Sequence, residues 1–151
     1  MINKLDNCDD KVTSQIFNVF QNSYKVEAQR INVCNFPPLS RSINDIKDSN
    51  TLFYGFYERG CLAGVIEVIA KDKRIELESL TVDPQYFKKG IASKLISYVL
   101  DSFEFIEAIV ETAVANKPAI NLYKKFGFVE IKRWTPSHGI EKLAMSVTNV
   151  L

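Results

Sequence analysis

A change of parity inside one short run, RIELESLTV at 74–82, most limits how this chain can fold. In a strand, successive side chains alternate between the two faces. Ile75 and Leu77 share one parity, and Leu80 and Val82 share the other. All four reach a single core only if one extra residue is inserted near Glu78-Ser79, the sequence trace of a β-bulge. A bulge frees a main-chain N–H from its ladder, so that it can polarise a carbonyl on a ligand.

The run stops at Asp83-Pro84, because proline cannot donate to a ladder. Lys88-Lys89-Gly90 then lead into a helix over about 89–103, with the apolar stripe Ile91, Leu95, Val99, Phe103. Unpaired N–H groups at such a start, with the helix dipole and two lysines, form a site for phosphate oxygens. Taken alone, a strand, a glycine and a helix describe an ordinary βα turn equally well.

Around this unit the pattern gives a short edge strand at 2–5 and a helix from Lys11 to about Ile31, stopped by Pro37-Pro38. Ser40 is placed to cap a second, short helix through Lys47. Thr51–Tyr57 and Cys61–Ala70, joined by Glu58-Arg59-Gly60, form a hairpin, and 74–82 extends it to an antiparallel meander. Phe105–Val114 follows a strand-to-helix crossover and runs parallel to 74–82. Pro118 opens another helix, Gly127 closes it, and Phe128–Trp134 pairs with Ile140–Thr148. The expected fold class is α/β (α+β): one domain over 1–151, a mixed, mostly antiparallel twisted sheet, a central parallel strand pair, and about four helices on both faces.

Composition closes off several function classes. With 151 residues, 46% hydrophobic and 25% charged, the chain can bury a core and is not a disordered tail. A net charge of +1 and no basic cluster larger than Lys88-Lys89 argue against a nucleic-acid partner. Cys8, Cys34 and Cys61 fit neither a disulfide framework nor a metal site, and with His138 as the one histidine no metal is expected. The start MINKLDNCDD has no apolar signal region, and the run Leu62–Ala70 is short and broken by Glu67. The expectation is a cytoplasmic protein with no membrane partner, whose edge strands allow a homodimer. Neither G-x-x-x-x-G-K-[ST] nor G-x-G-x-x-G is present, which sets a nucleotide-phosphate enzyme aside.

The run LTVDPQYFKKGIASKL resembles the signature of the GNAT superfamily of N-acetyltransferases, in which a strand, a Val-x-Pro turn and an (Arg/Gln)-x-x-Gly-x-(Gly/Ala) loop hold acetyl-CoA. Gly90 and Ala92 match its small positions, whereas Phe87 stands where the family has Arg or Gln. A second run, NKPAINLYKKFGF from Asn116 to Phe128, also resembles the family pattern, with Asn116 and Tyr123 on its polar positions. The order of elements agrees over nearly the whole chain.

The resemblance implies transfer of an acetyl group from acetyl-CoA, as co-substrate, to a primary amine of a small molecule or peptide. It implies that Leu80, Thr81 and Val82 flank the pantetheine arm like an added strand, with an N–H there serving the oxyanion. It also implies that the N–H groups of Lys88, Lys89, Gly90, Ile91, Ala92 and Ser93 cradle the pyrophosphate, with Phe87 at the first position of the coenzyme-binding loop. Asn116 either bonds the coenzyme arm or caps the helix start.

Tyr123, alone, reads as a core tyrosine; beside the second motif it takes the role of general acid, since a phenol titrating near roughly pH 10 holds its proton until a thiolate needs one. Glu76 best matches the position of the family's base. Glu78 on the same strand is a second candidate, Glu67 and Glu111 are weaker ones, and a base acting through water would leave no signature. Tyr24, Glu27, Arg30, Phe36 and the residues around Trp134 are expected to build the acceptor pocket. The alternative is a non-catalytic acyl-CoA-binding or regulatory module on the same fold.

Overall fold

In the computed structural model, which describes residues 1–149, one sheet of seven strands runs through the molecule in the order β1-β2-β3-β4-β5-β7-β6. The strands are β1 (Ile2–Leu5), β2 (Leu52–Glu58), β3 (Cys61–Lys71), β4 (Arg74–Val82), β5 (Glu107–Ala113), β6 (Val129–Trp134) and β7 (Lys142–Thr148). Only β4 and β5 are parallel; every other neighbour is antiparallel. The four α-helices are α1 (Asp10–Arg30), α2 (Ile43–Lys47), α3 (Ile91–Ser102) and α4 (Lys117–Lys125). The expected fold class holds. No helix among the described residues is long and apolar enough to cross a membrane.

The helices cover the two faces of the sheet because their apolar stripes face opposite ways. Ile16, Val19 and Phe20 of α1 and Ile46 of α2 pack with Leu5, Phe53 and Val65. Ile91, Leu95, Ile96 and Val99 of α3 and Ile120 of α4 pack on the other side with Ile66, Val68, Ile75, Leu77 and Met145. Gly64 lets α3 approach closely: a Cβ there would stand 2.8 Å from Ile91 Cγ2 and 3.2 Å from Leu95 Cδ1.

The parity break in 74–82 is a bulge. Glu67 pairs with Ser79 and Val68 with Leu77, so Glu78 is the extra residue of β4. Leu80 and Val82 consequently pack against the same cluster as Ile75 and Leu77. The alternate positions Ser79 and Thr81 turn to the α1 side, where Ser79 meets Glu67 and the Thr81 hydroxyl donates to Val65 O at 3.4 Å.

The bulge also ends the contact between the two parallel strands. Pairing of β4 with β5 covers Arg74–Leu77 against Glu107–Val110 and goes no further. Beyond it β5 stays with β7 as far as Ala113, while β4 stays with β3 as far as Val82. The two strands splay, and the β5-facing edge of 78–82 has no strand beside it.

One local expectation needs correction. The short helix α2 is capped by Ser42, not Ser40. Ser42 Oγ accepts from Asp45 N at 3.0 Å and Asp45 Oδ2 accepts from Ser42 N at 2.8 Å, a reciprocal capping box. Ser40 ends a separate 3-10 turn, Pro37–Ser40.

Candidate active site

The splay opens two clefts that meet. On the side of α3 lies a cleft of about 540 Å³, bordered by Leu80 and Val82, by Tyr86 to Lys88, by Gly90 to Ser93, and by α4. Its floor is set by backbone geometry. Lys88 (φ 64°) and Gly90 (φ 74°) both adopt left-handed conformations, and Gly90 is the N-cap of α3 with no side chain satisfying the first N–H groups. The space beside Gly90 is open, since a Cβ there would meet nothing within 4 Å. A helix start of this kind, with Lys88, Arg30 and Lys125 around the cleft, favours an anion.

On the other side of the splay lies a smaller cleft of about 250 Å³. Tyr24 and Glu27 of α1, the Phe36-Pro37-Pro38 turn, Glu78 to Leu80 of the bulge, Glu111 to Ala113 of β5, and His138, Ile140 and Lys142 border it. The two clefts share Glu27, Leu80, Asn116, Ala119 and Tyr123.

Tyr123 sits at this junction because α4 is pinned at both ends. Asn116 Oδ1 accepts from Ala119 N at 3.4 Å, and Gly127 (φ 88°) turns the chain away after Phe126. The Tyr123 ring packs edge-on to Phe128, with centroids 5.6 Å apart. Burial, aided by the charge of Glu27, pushes its phenol well above the usual range, so the proton is held at any working pH. Asn116, 5% exposed, both caps α4 and borders the two clefts, so its alternative readings are compatible.

The carboxylates separate into distinct settings. Glu67 is 2% exposed and engaged on all sides: Arg41 donates to both its oxygens at 2.6 and 2.9 Å, Thr51 Oγ1 donates at 2.6 Å, and Ser79 Oγ donates at 2.9 Å. Burial pushes its carboxyl up, and these donors outweigh that and hold it below the usual range. A carboxylate so occupied is a structural group, which removes Glu67 from the base candidates.

Glu78, the bulge residue, borders the acceptor-side cleft. Partial burial, then the neighbouring Glu76, Glu67 and Glu111, raise its carboxyl above the usual range. Glu76 borders neither of the two joined clefts; it lies in a neighbouring groove with Arg74, whose Nε is 4.0 Å away. Glu111 is paired with Lys142 Nζ at 3.4 Å. Glu27 is partly buried at the junction itself; burial raises its carboxyl, while Asn116, Arg30 and Lys142 pull it back down.

Of the residues expected around the coenzyme, Leu80, Val82, Phe87, Lys88, Gly90, Ile91, Ala92, Ser93, Asn116 and Tyr123 border the α3-side cleft. Thr81 faces the opposite side of the sheet, and Lys89 places its ammonium 5.6 Å over the Tyr86 ring. Trp134 lies outside both clefts, under the ammonium groups of Lys132 and Lys142 at 4.8 and 5.9 Å. Sequence reading missed Thr112 and Lys142, which arrive from β5 and β7. It took Pro37-Pro38 only as a stop signal. No local motif marks these residues; they converge through the sheet order.

The same architecture occurs in known proteins. Residues 15–128 match the acetyltransferase (GNAT) family. A Bacillus subtilis protein, UPF0157 protein YqkA, is 31% identical over 141 residues, covering 93% of this chain. An N-alpha-acetyltransferase of Sulfurisphaera tokodaii is 38% identical over 64 residues, or 40% of this chain. The chain spans only 41% of the length of the first relative and 38% of the second. The PaiA N-acetyltransferase of Thermoplasma acidophilum, solved in complex with coenzyme A, superposes with a TM-score of 0.77 at 18% identity, covering 99% of this chain and 98% of its own. With residues 15–128 matched and its sheet splayed beside an uncapped helix start, this chain belongs to the acetyltransferase (GNAT) family.

Proposed function

We propose that the protein transfers an acetyl group from acetyl-CoA to a primary amine of a small molecule or peptide. The observation that carries this is the junction: a cleft ending at an uncapped helix N-terminus meets a second cleft through the splay, with Tyr123 between them. The α3-side cleft suits the coenzyme on chemistry visible in the chain. Gly90 leaves the first N–H groups of α3 open to a diphosphate, and the unladdered edge of 78–82 offers main-chain groups to an extended amide arm.

Bound there, acetyl-CoA supplies an activated acyl carbon and a thiolate leaving group. The chain supplies the rest. In this reading a main-chain N–H near Leu80 to Val82, on the edge that β5 leaves unpaired, stabilises negative charge on a carbonyl oxygen. The Tyr123 hydroxyl, kept protonated by burial and bordering both clefts, serves in this reading as the acid that protonates sulfur. Of the two strand glutamates expected as base, Glu78 has access to the acceptor side and Glu76 has not. A peptide N-terminus is one acceptor class consistent with the N-alpha-acetyltransferase likeness over 64 residues. Three exposed free cysteines, Cys8, Cys34 and Cys61, suit a reducing cytoplasm.

The test is thiol release from acetyl-CoA with a panel of small amines and peptide N-termini, with product mass measured. Acetylated amine appearing with the released thiol is the expected result. A second reading, an acyl-CoA-binding module without turnover, draws on Phe87, an apolar side chain in the cleft where the family has Arg or Gln. Coenzyme binding with no acetylation of any amine would favour it.

A further inference from the structure

Among the described residues, five border both clefts, and on the acetyltransferase reading these face the coenzyme arm and the incoming amine together. Leu80 and Ala119 are apolar, Asn116 has no basic atom, and Tyr123 holds its proton. Glu27 is the one group among them able to take a proton from an ammonium. We propose that Glu27, in the last turn of α1, anchors the acceptor ammonium and serves as the general base. This assignment rests on the acetyltransferase reading above and departs from the expectation of a base on β4.

Its position follows from helix geometry. Tyr24 and Glu27 lie one turn apart on α1 and share the cleft-facing side. The charged and titratable groups around Glu27 are Arg30 and Tyr24 on its own helix, Tyr123 on α4, and Lys142 on β7, with the Asn116 amide beside it. Burial outweighs the two cations and the amide and raises the carboxyl above the usual carboxylate range, which makes it the stronger base. Its charge in turn helps keep the Tyr123 phenol protonated. One environment thus separates a proton acceptor from a proton donor.

The proton balance closes with these two groups. The ammonium gives one proton to the Glu27 carboxylate, which passes it to solvent. The freed amine attacks the acyl carbon; the N–C bond forms and the C–S bond breaks. Tyr123 gives its proton to sulfur, and the second proton lost from nitrogen replaces it. The products are the amide, the free thiol and one proton.

The test compares Glu27→Gln and Glu78→Gln with wild type in the full chain, using the amine that wild type acetylates. Coenzyme A affinity is read by calorimetry, and kcat/KM is read across pH. Glu27→Gln is expected to bind coenzyme A and to lose about 10²-fold or more in kcat/KM near neutrality. It should recover as the pH rises through the acceptor amine's own ordinary value, about 8 for a peptide N-terminus and about 10.4 for an alkyl amine, above which the amine needs no base. Full activity and an unchanged profile in Glu27→Gln would overturn the assignment while leaving the acetyltransferase reading intact, as would transfer of that whole effect to Glu78→Gln. Failure of wild type to acetylate any amine would overturn both.

Discussion

Ser79 Oγ donates to Glu67 Oε1 at 2.9 Å across the last regular pair of β3 and β4 before the bulge. The same carboxylate holds Arg41, which follows the Pro37–Ser40 turn and lies over the rings of Phe20 and Phe53 at 5.7 and 5.9 Å. One buried acid therefore ties the back of the bulged strand to the segment that walls the acceptor-side cleft.

Removing one partner of this network leaves the other charge uncompensated. Glu67→Ala is expected to lower unfolding free energy by about 3–5 kcal/mol, as is typical when a buried pair is broken. Arg41→Ala should cost at least as much, because the charge it leaves unpaired, Glu67, is 2% exposed, whereas Arg41 is 28% exposed and can be hydrated when Glu67 is removed. The double change Glu67→Leu with Arg41→Met should recover much of the loss, since apolar replacements of matching volume are tolerated. Urea unfolding of the four proteins checks this.

The network also sets an acid limit on stability. The Glu67 carboxyl is held below its ordinary value of 4.5, so its contribution is present above that pH and is lost as pH falls through the folded-state value. Wild-type stability should therefore decline below about pH 4.5 with a component that Glu67→Gln lacks. Thermal melts of both proteins between about pH 3 and 7 read the difference.

Two glycines should separate packing from binding. Gly64→Ala drives a methyl into Ile91 and Leu95 and should cost about 1–3 kcal/mol by overpacking, shifting the start of α3 with it. Gly90→Ala meets no atom but must hold φ near 74°, costing about 1–2 kcal/mol while crowding the open N–H groups. Melting temperature and coenzyme A affinity, measured together, should show stability falling more in the first and affinity more in the second.

Tyr123→Phe keeps the ring that packs edge-on to Phe128, so it should fold normally and bind acetyl-CoA. If the hydroxyl protonates sulfur, kcat should fall by about 10²–10⁴-fold. An unchanged kcat would return Tyr123 to a packing role.

Much of this was legible in the chain because the signals are local. The parities of Ile75, Leu77, Leu80 and Val82 located the bulge within one residue of Glu78, and Gly90 and Gly127 marked the ends of α3 and α4 where positive φ is needed. The capping box at Ser42 and Asp45 carried an S-x-x-D signal that the nearby Ser40 obscured. Glu67 was not legible as a structural ion: its partners Thr51, Ser79 and Arg41 lie on separate elements, and only the folded sheet joins them. For the same reason Glu27 read as one pocket residue among several. Its place between two clefts depends on how α1 and α4 meet over the splay.

The most direct measurement is a calorimetric titration of the purified full chain with acetyl-CoA. A splayed strand pair beside an open helix start should bind one molecule per chain, with a dissociation constant of about 1–100 μM and a negative heat-capacity change as the arm is buried. No heat of binding at millimolar acetyl-CoA would contradict the account.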